Sequence, residues 1–281
     1  MKNNPLVSIV IPTKNSAEFL EATLRSIQKQ RYKPIEILII DGNSTDNTFP
    51  LAKKYHSKVF AYAPTMRAGT FDAPFKRNYG VRKAKGTYVY CVDADMELQP
   101  DVVGQAVRLC EGGNAAVIVP EDSIGVGLWA RAKKLERRCY WGDDLIESPR
   151  FFRKQAWEEV GGVDESLVSG RDDGDLHQKI LEHGYTVGRT KDMVLHNEGK
   201  LTVKRLFFKK VMYGKDVLSY IKKRPRIGIL SYSPIRSGFI NNWRLFVQRP
   251  LDALVFIVMK TIENTGGIVG ILLSLKDRVF Y

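Results

Sequence analysis

The feature that most restricts the fold is a repeated order: short apolar runs end in polar turns, and segments of helical spacing lie between them. Residues 7–11 (VSIVI) are apolar and β-branched and stop at Pro12, which reads as a buried strand and its exit loop. Residues 17–31 follow with Phe19, Leu20, Leu24 and Ile27 on one side of a helix. A second strand is predicted at 35–40 (IEILII), closing on the turn residues Asp41-Gly42-Asn43-Ser44-Thr45-Asp46. A helix at about 47–56, a strand near Val59–Ala61, a helix near 75–84 and a strand over Tyr88–Val92 continue the alternation. With no internal repeat, this order predicts an α/β fold whose mostly parallel sheet is flanked by helices. In such sheets ligands sit at the carboxyl ends of the strands. Thr13, Asn15, Asp41, Asp93 and Asp95 all fall there.

Asp93-Ala94-Asp95 follows the apolar run TYVYCV. Two carboxylates spaced i, i+2 at a strand exit can both reach a cation that bridges phosphate oxygens. Hard oxygen ligands suit Mg²⁺ or Mn²⁺ rather than zinc, and such an ion neutralises charge on a leaving diphosphate. Glu97 is a candidate third ligand; an exposed acid at a helix start is the plainer reading. Asp41 is placed to hold a base or ribose edge, as acids after strands do in dinucleotide folds, or else to cap a turn. Ser44 and Asp46 read as caps. Arg77, on the helix between these elements, suits a diphosphate clamp or a support for the Asp93–Asp95 loop, with a surface ion pair as the alternative.

Beyond residue 115 the pattern is mixed. A strand is predicted at Ala115–Val119 and a helix around 128–141. Glycine turns follow at Gly161-Gly162 and Gly170, then a helix at 174–183 and a last short strand ending at Leu195. Three scattered cysteines (Cys91, Cys110, Cys139) make no disulfide framework and read as thiols in a reducing compartment. The opening MKNNPLVSIVIPTKN has no apolar stretch before a small-residue cleavage site, so no secretory signal is expected.

Taken together, VSIVIPTKN, EILIIDGNSTDNT, KRNYG and KGTYVYCVDADMEL resemble, in order and spacing, the family 2 inverting glycosyltransferases of the GT-A fold, over about residues 5–200. The resemblance implies one nucleotide-sugar-binding domain (1–200). Pro12, Thr13, Asn15 and Asp41 would surround the nucleoside, and Asp93, Ala94 and Asp95 the metal and phosphates. It also picks out Ser169-Gly170-Arg171-Asp172-Asp173-Gly174-Asp175-Leu176, which looks like the family's acidic motif before a helix. An inverting transfer needs one carboxylate to deprotonate the acceptor hydroxyl. Asp173 is the candidate base beside Asp172, which stands where the family has Glu, and Asp175 reads as a complement to the helix dipole. His196, in LHNEG, resembles a family histidine near the metal; a structural, hydrogen-bonded role is the alternative.

The net charge of +13 is local: residues 200–249 hold thirteen Lys or Arg and one acid, Asp216, which leaves +1 on the other 231. A nearly neutral domain with one basic segment points to something local, and because 251–275 is apolar a membrane surface ranks above nucleic acid, which is not expected as a partner. The segment 203–221 reads as a basic amphipathic helix, with Lys209, Lys210, Tyr213 and Lys215 as candidate acceptor or membrane contacts. A Pro- and Gly-punctuated stretch (224–238) follows. The apolar segment 251–275 is interrupted by Asp252, Lys260, Glu263 and Asn264, which favours in-plane or re-entrant helices over a span, with packing on the domain as the bland reading. Residues 201–281 are therefore expected to be a membrane-associating tail. The chain would be cytoplasmic, attached to the inner face of the cell membrane, with a nucleotide-diphosphate sugar as donor and a lipid-linked or polyprenyl-phosphate acceptor. Membrane-associated lipid-phosphate mannosyl and glucosyl transferases are the similar proteins.

Overall fold

A computed structural model describes residues 4–64, 71–167, 170–233 and 236–279 of the chain. Ser169, at the head of the acidic segment, and residues 65–70 lie outside the described residues. The first half alternates as the apolar runs require: β1 (Val7–Thr13), α1 (Ala17–Gln28), β2 (Ile35–Asp41), α2 (Thr48–Lys54), β3 (Lys58–Ala61), α3 (Ala73–Lys83) and β4 (Tyr88–Cys91). The chain continues through β5 (Met96–Leu98), α4 (Val102–Glu111), β6 (Ala116–Ile118), β7 (Glu121–Val126), α5 (Leu128–Arg138), β8 (Phe151–Arg153), α6 (Lys154–Glu159), α7 (Asp172–Glu182), β9 (Val187–Arg189) and β10 (Val194–Lys200).

Seven strands form one sheet in the order β3-β2-β1-β4-β8-β6-β9. The first four run parallel, and β8 is antiparallel to both its neighbours. The expected α/β fold with a mostly parallel sheet is what the chain adopts. Helices cover both faces: Leu20, Leu24, Val103 and Val107 pack on one, Val81, Trp157, Leu176 and Ile180 on the other. A strand buried on both faces reads as an unbroken apolar run rather than an alternating one, which is why VSIVI was legible. Strand order reverses between β1 and β4, so a crevice for ligands opens there. Pro12 lies past the last β4 partner of β1, at Val10, so its missing amide breaks no bond on that side.

A second sheet, β5-β10-β7, was not foreseen. Its pairing extends the final strand past Leu195 to Lys200, which faces Val126. This carries His196 up alongside the Asp93–Asp95 turn. All three cysteines are buried and free.

The tail comprises α8 (Val203–Gly214), α9 (Val217–Lys223), α10 (Pro225–Tyr232), α11 (Ser237–Asn241), α12 (Trp243–Gln248) and α13 (Pro250–Val279). Two expectations are corrected. The basic helix 203–221 is two helices, parted at Lys215-Asp216. The apolar segment is one unbroken helix that crosses α8 at glycines: a Cβ on Gly270 would fall 2.1 Å from the Val211 carbonyl oxygen, one on Gly266 2.5 Å from that of Phe207, and one on Gly214 2.3 Å from that of Gly267. Small residues spaced i, i+4 let two helix backbones touch.

The charges of α13 are not stranded. Asp252 pairs with Arg131 (2.9 Å). Glu263 takes Lys133 (2.9 Å) and Lys260 (2.7 Å), while Glu136 takes Lys133 (2.6 Å) and Lys260 (2.9 Å). Around this charged layer Ala132, Leu135, Leu206, Phe256 and Met259 form a satellite core, so the tail rests on α5. Its outer side leaves Leu254, Ile257, Val258, Ile268 and Leu272 exposed. By length and composition Pro250–Lys276 is the one described helix long and apolar enough to cross a membrane.

Candidate active site

At the end of β1 the chain turns through Asn15, whose φ of 49° lies in the left-handed region that Asn tolerates. Its amide donates to the Ser44 hydroxyl (2.8 Å) and its side-chain oxygen accepts from the Thr45 amide (2.8 Å). Asp41, at the end of β2, accepts from the Thr13 hydroxyl (2.8 Å), the Ser44 amide (2.8 Å) and the Ser44 hydroxyl (2.5 Å). Asp41 therefore braces its own turn, at the carboxyl end of β2. Asp46 caps as expected, accepting from the amides of Thr48 and Ala17 (3.0 Å each). Lys76 had no sequence signal. Its ammonium is 1% exposed and donates to the Thr13 carbonyl (2.8 Å) beside Asp72 (2.7 Å). Burial holds its pKa below the usual lysine value, against the pull of Asp72. Gly42 leaves the room: a Cβ there would sit 2.3 Å from the lysine nitrogen.

The Asp93–Asp95 turn is pinned from two sides. The Thr23 hydroxyl donates to the Ala94 carbonyl (2.8 Å), and the Asn197 amide to that of Asp95 (2.8 Å). Asp93 lies between two guanidinium groups, Arg77 (2.9 Å) and Arg150 (3.1 Å). Burial would raise its pKa, but the two arginines outweigh burial and hold the carboxyl well below the usual range. Arg77 is thus a buried support for this loop, not a surface ion pair. Its other arm takes Asp172 at 2.5 Å. Burial pushes Asp172 above the ordinary carboxylate value, with Arg77 opposing and Asp173 adding to the rise. Asp173 is less buried, and among the described residues its carboxylate accepts only from the Gly174 amide (2.7 Å). Asp175 does more than complement a dipole: it is 0% exposed and bound by Lys223 (2.6 Å) and Arg224 (3.0 Å), which lock α9 onto α7.

His196 stands between two carboxylates, with Nε2 3.3 Å from Asp95 and Nδ1 3.3 Å from Glu121. Glu121 is itself held by Arg150 (3.1 Å) and Arg137. Neither Arg150 nor Glu121 was picked out by sequence, because each sits at the edge of a short strand with no local motif. A continuous chain of ion pairs runs through Asp172, Arg77, Asp93, Arg150 and Glu121, and close contacts of the His196 ring carry it on to Asp95.

The donor set fits a hard divalent cation. Among the described residues no three His, Cys, Asp or Glu side chains gather around one point. The Asp95–His196 separation of 3.3 Å, however, is close to the ~3 Å between adjacent ligands of an octahedral ion with ~2.1 Å bonds. An ion held there would leave its remaining positions to phosphate oxygens and water, as is usual for such ions. Glu121 on the far ring nitrogen is the carboxylate–histidine arrangement that orients an imidazole ligand. Glu97 is not brought into this set: it faces Leu195 across β10, whereas His196 faces Met96, so strand alternation sends Glu97 to the other side.

The candidate contacts on α8 divide. Tyr213 lies against Gly170, where a Cβ would fall 3.2 Å from its ring, and its ring centroid is 5.6 Å from that of Phe71. Lys209 is 5.9 Å from the Tyr213 ring, within the electrostatic reach of Glu198 and Asp95. Both roof the site. Lys210 turns the other way, to Glu263 (3.9 Å), and burial lowers its pKa to about 7. Lys215 ends α8 at the junction with α9.

The sequence model described as Glycosyl transferase family 2 matches residues 8–163. Chondroitin synthase of Escherichia coli is 28% identical over 271 residues, 90% of this chain and 37% of that protein. The uncharacterized glycosyltransferase YibD of Escherichia coli K12 is 32% identical over 100 residues, 36% of this chain and 29% of that protein. The chain thus spans about a third of the length of these curated relatives. Among solved structures, the mannosyltransferase PcManGT from Pyrobaculum calidifontis, in complex with GDP-Man and Mn²⁺, superposes with a TM-score of 0.64 at 18% identity, covering 98% of this chain and 88% of that one. Residues 1–349 of Staphylococcus aureus TarS with UDP-GlcNAc superpose at 0.57 and 13% identity, covering 96% and 92%. At these identities the two structures speak for the fold.

Proposed function

We infer that this chain, which belongs to glycosyltransferase family 2, transfers a sugar with inversion from a nucleotide-diphosphate donor to an acceptor hydroxyl at a membrane surface. The observation that carries the reading is the charge chain from Asp172 to Asp95 across the β1–β4 crevice, with Asp173 left outside its ion pairs. Thr13, Asn15 and Asp41 line the nucleoside end. Arg77 and Arg150 hold Asp93, and through Glu121 Arg150 also holds His196, so the diphosphate end is built before a donor arrives. Mg²⁺ or Mn²⁺ on Asp95 and His196 would neutralise the charge that builds on the leaving diphosphate.

In the transfer the acceptor oxygen bonds to the anomeric carbon, and the bond from that carbon to the diphosphate breaks. The electron pair leaves with the phosphate oxygen, and the hydroxyl proton passes to Asp173. Asp172 cannot take this role while Arg77 occupies it; it fixes the start of α7 and so aims Asp173. The bound donors of the structural neighbours leave GDP-mannose and UDP-sugars both in view. The exposed aliphatic side of α13 and the +12 of residues 200–249 support a lipid-linked acceptor on the inner face of the cell membrane; a polyprenyl phosphate in that place, already ionised, would need no base, and Asp173 would then only orient it.

A thermal-shift screen of UDP- and GDP-sugars with Mn²⁺ tests the donor reading: one nucleotide class should stabilise the wild type, and Asp95→Asn should lose the metal-dependent part. Asp173→Asn should keep donor binding and lose transfer; unimpaired transfer would remove it as the base. Sedimentation of the full chain with phosphatidylglycerol vesicles tests the membrane reading, which fails if the chain stays in solution.

A further inference from the structure

An open groove of about 560 Å³ runs between α8 and α13, walled by Phe207 and Phe208 on one side and Ile262 on the other, with Thr261 and Thr265 on its floor. Its two floor hydroxyls are already used: Thr261 donates to the Ile257 carbonyl (3.0 Å) and Thr265 to that of Thr261 (2.8 Å). A groove lined this way has hydrocarbon to offer and no unmet polar group, so water gains little there and an alkyl chain gains much. Phe207 and Lys209 are two residues apart, about 200° around the helix axis. The groove therefore opens on the side of α8 away from the active-site roof. It is continuous along α13 with the exposed Ile257 and Val258, and Lys204 stands at its rim.

We propose that this groove seats one hydrocarbon chain of an anionic membrane lipid, whose headgroup pairs with Lys204, at a site separate from that of the acceptor. The charge on the page favours a lipid over other apolar occupants: residues 200–249 carry +12, which a bilayer with anionic headgroups complements and a second copy of this chain would repel. The inference rests on the membrane reading above and adds to it a saturable chain site that anchors α8, and with it Lys209 and Tyr213.

The test uses the full chain and vesicles of phosphatidylcholine with or without phosphatidylglycerol, both lipids carrying a photoactivatable diazirine in an acyl chain. Crosslinks are expected in peptides holding residues 203–208 and 261–265, and only with phosphatidylglycerol present. Val203→Trp and Thr265→Trp, two independent plugs whose folding is checked by thermal unfolding, should each lower labelling of those peptides about tenfold, what excluding about two chain methylenes costs. Sedimentation with the vesicles should persist in both. Labelling spread evenly along the exposed side of α13, or unchanged by both plugs, overturns the chain site while leaving the membrane reading intact. A lipid-free dimer that buries the groove and blocks labelling overturns it as well. A chain that sediments with neither vesicle takes down both readings.

Discussion

The contact between α8 and α13 gives a sharp prediction, because two neighbouring glycines of one helix face opposite circumstances. On Gly270 a methyl group would lie 2.1 Å from the Val211 carbonyl oxygen and 2.9 Å from Gly214 Cα; on Gly267 it would meet nothing within 4 Å. Ordinary contact starts at 3.4 Å, so Gly270→Ala requires the two backbones to part by about 1.3 Å. Neither obstacle is a flexible side chain. Both substitutions gain the same helix propensity, up to ~1 kcal/mol. Only Gly270→Ala adds an overpacking cost, typically ~1–3 kcal/mol. The difference between the variants therefore isolates the contact, at ~1–3 kcal/mol, or roughly 2–12 °C in Tm for a chain of this size. Thermal unfolding of both, with hydrogen exchange read on α13, measures it. Gly267→Ala should be as stable as wild type or more so, and Gly270→Ala less stable with faster exchange in α13. If the two variants unfold together within about 0.5 kcal/mol, the backbones do not touch as described.

Other consequences follow from the charge chain and its surroundings. Arg77→Met should abolish transfer and destabilise the fold by ~3–5 kcal/mol, since Asp172 is left buried without its partner and Asp93 keeps only Arg150; urea unfolding with activity on the refolded fraction reads both. Glu121→Gln should weaken Mn²⁺ binding about 10–100-fold, measured by the paramagnetic signal of free Mn²⁺. Gly42→Ala should loosen Lys76 and weaken nucleotide binding, seen by calorimetry with the nucleoside diphosphate alone. Lys210 has a folded pKa of about 7 against an ordinary value of 10.5, so the folded chain releases its proton first and stability rises with pH between those values. Lys210→Met should flatten that rise and raise Tm most at and below neutral pH.

The strands β1, β2 and β4 were legible because burial on both faces writes itself as unbroken apolar runs, and the polar residues at their ends mark the crevice. The strands β5, β8 and β9, each three residues long, and β7, which opens on Glu121-Asp122-Ser123, were not, because none shows an apolar run or a period. With them went Arg150 and Glu121, whose roles exist only through partners about 30 to 75 residues away. Lys76, in a stretch of charged residues, reads as solvent-facing; its burial depends on an absent side chain at Gly42. The interruptions in the last apolar segment were weighed as isolated charges because their partner, α5, lies over 120 residues upstream.

That charged layer changes what hydropathy can say about α13. Taken from its own residues, the helix carries Lys260 and Glu263 into any apolar phase at full cost. In the folded chain Lys133 and Glu136 travel with them, so what a bilayer meets is an outer aliphatic side with its charges already neutralised behind it. On the membrane reading proposed above, affinity for lipid is therefore a property of the assembled protein. A fragment bearing only the tail would misreport it, and any loss of α5 would strip Lys260 of Glu136 and Glu263 of Lys133.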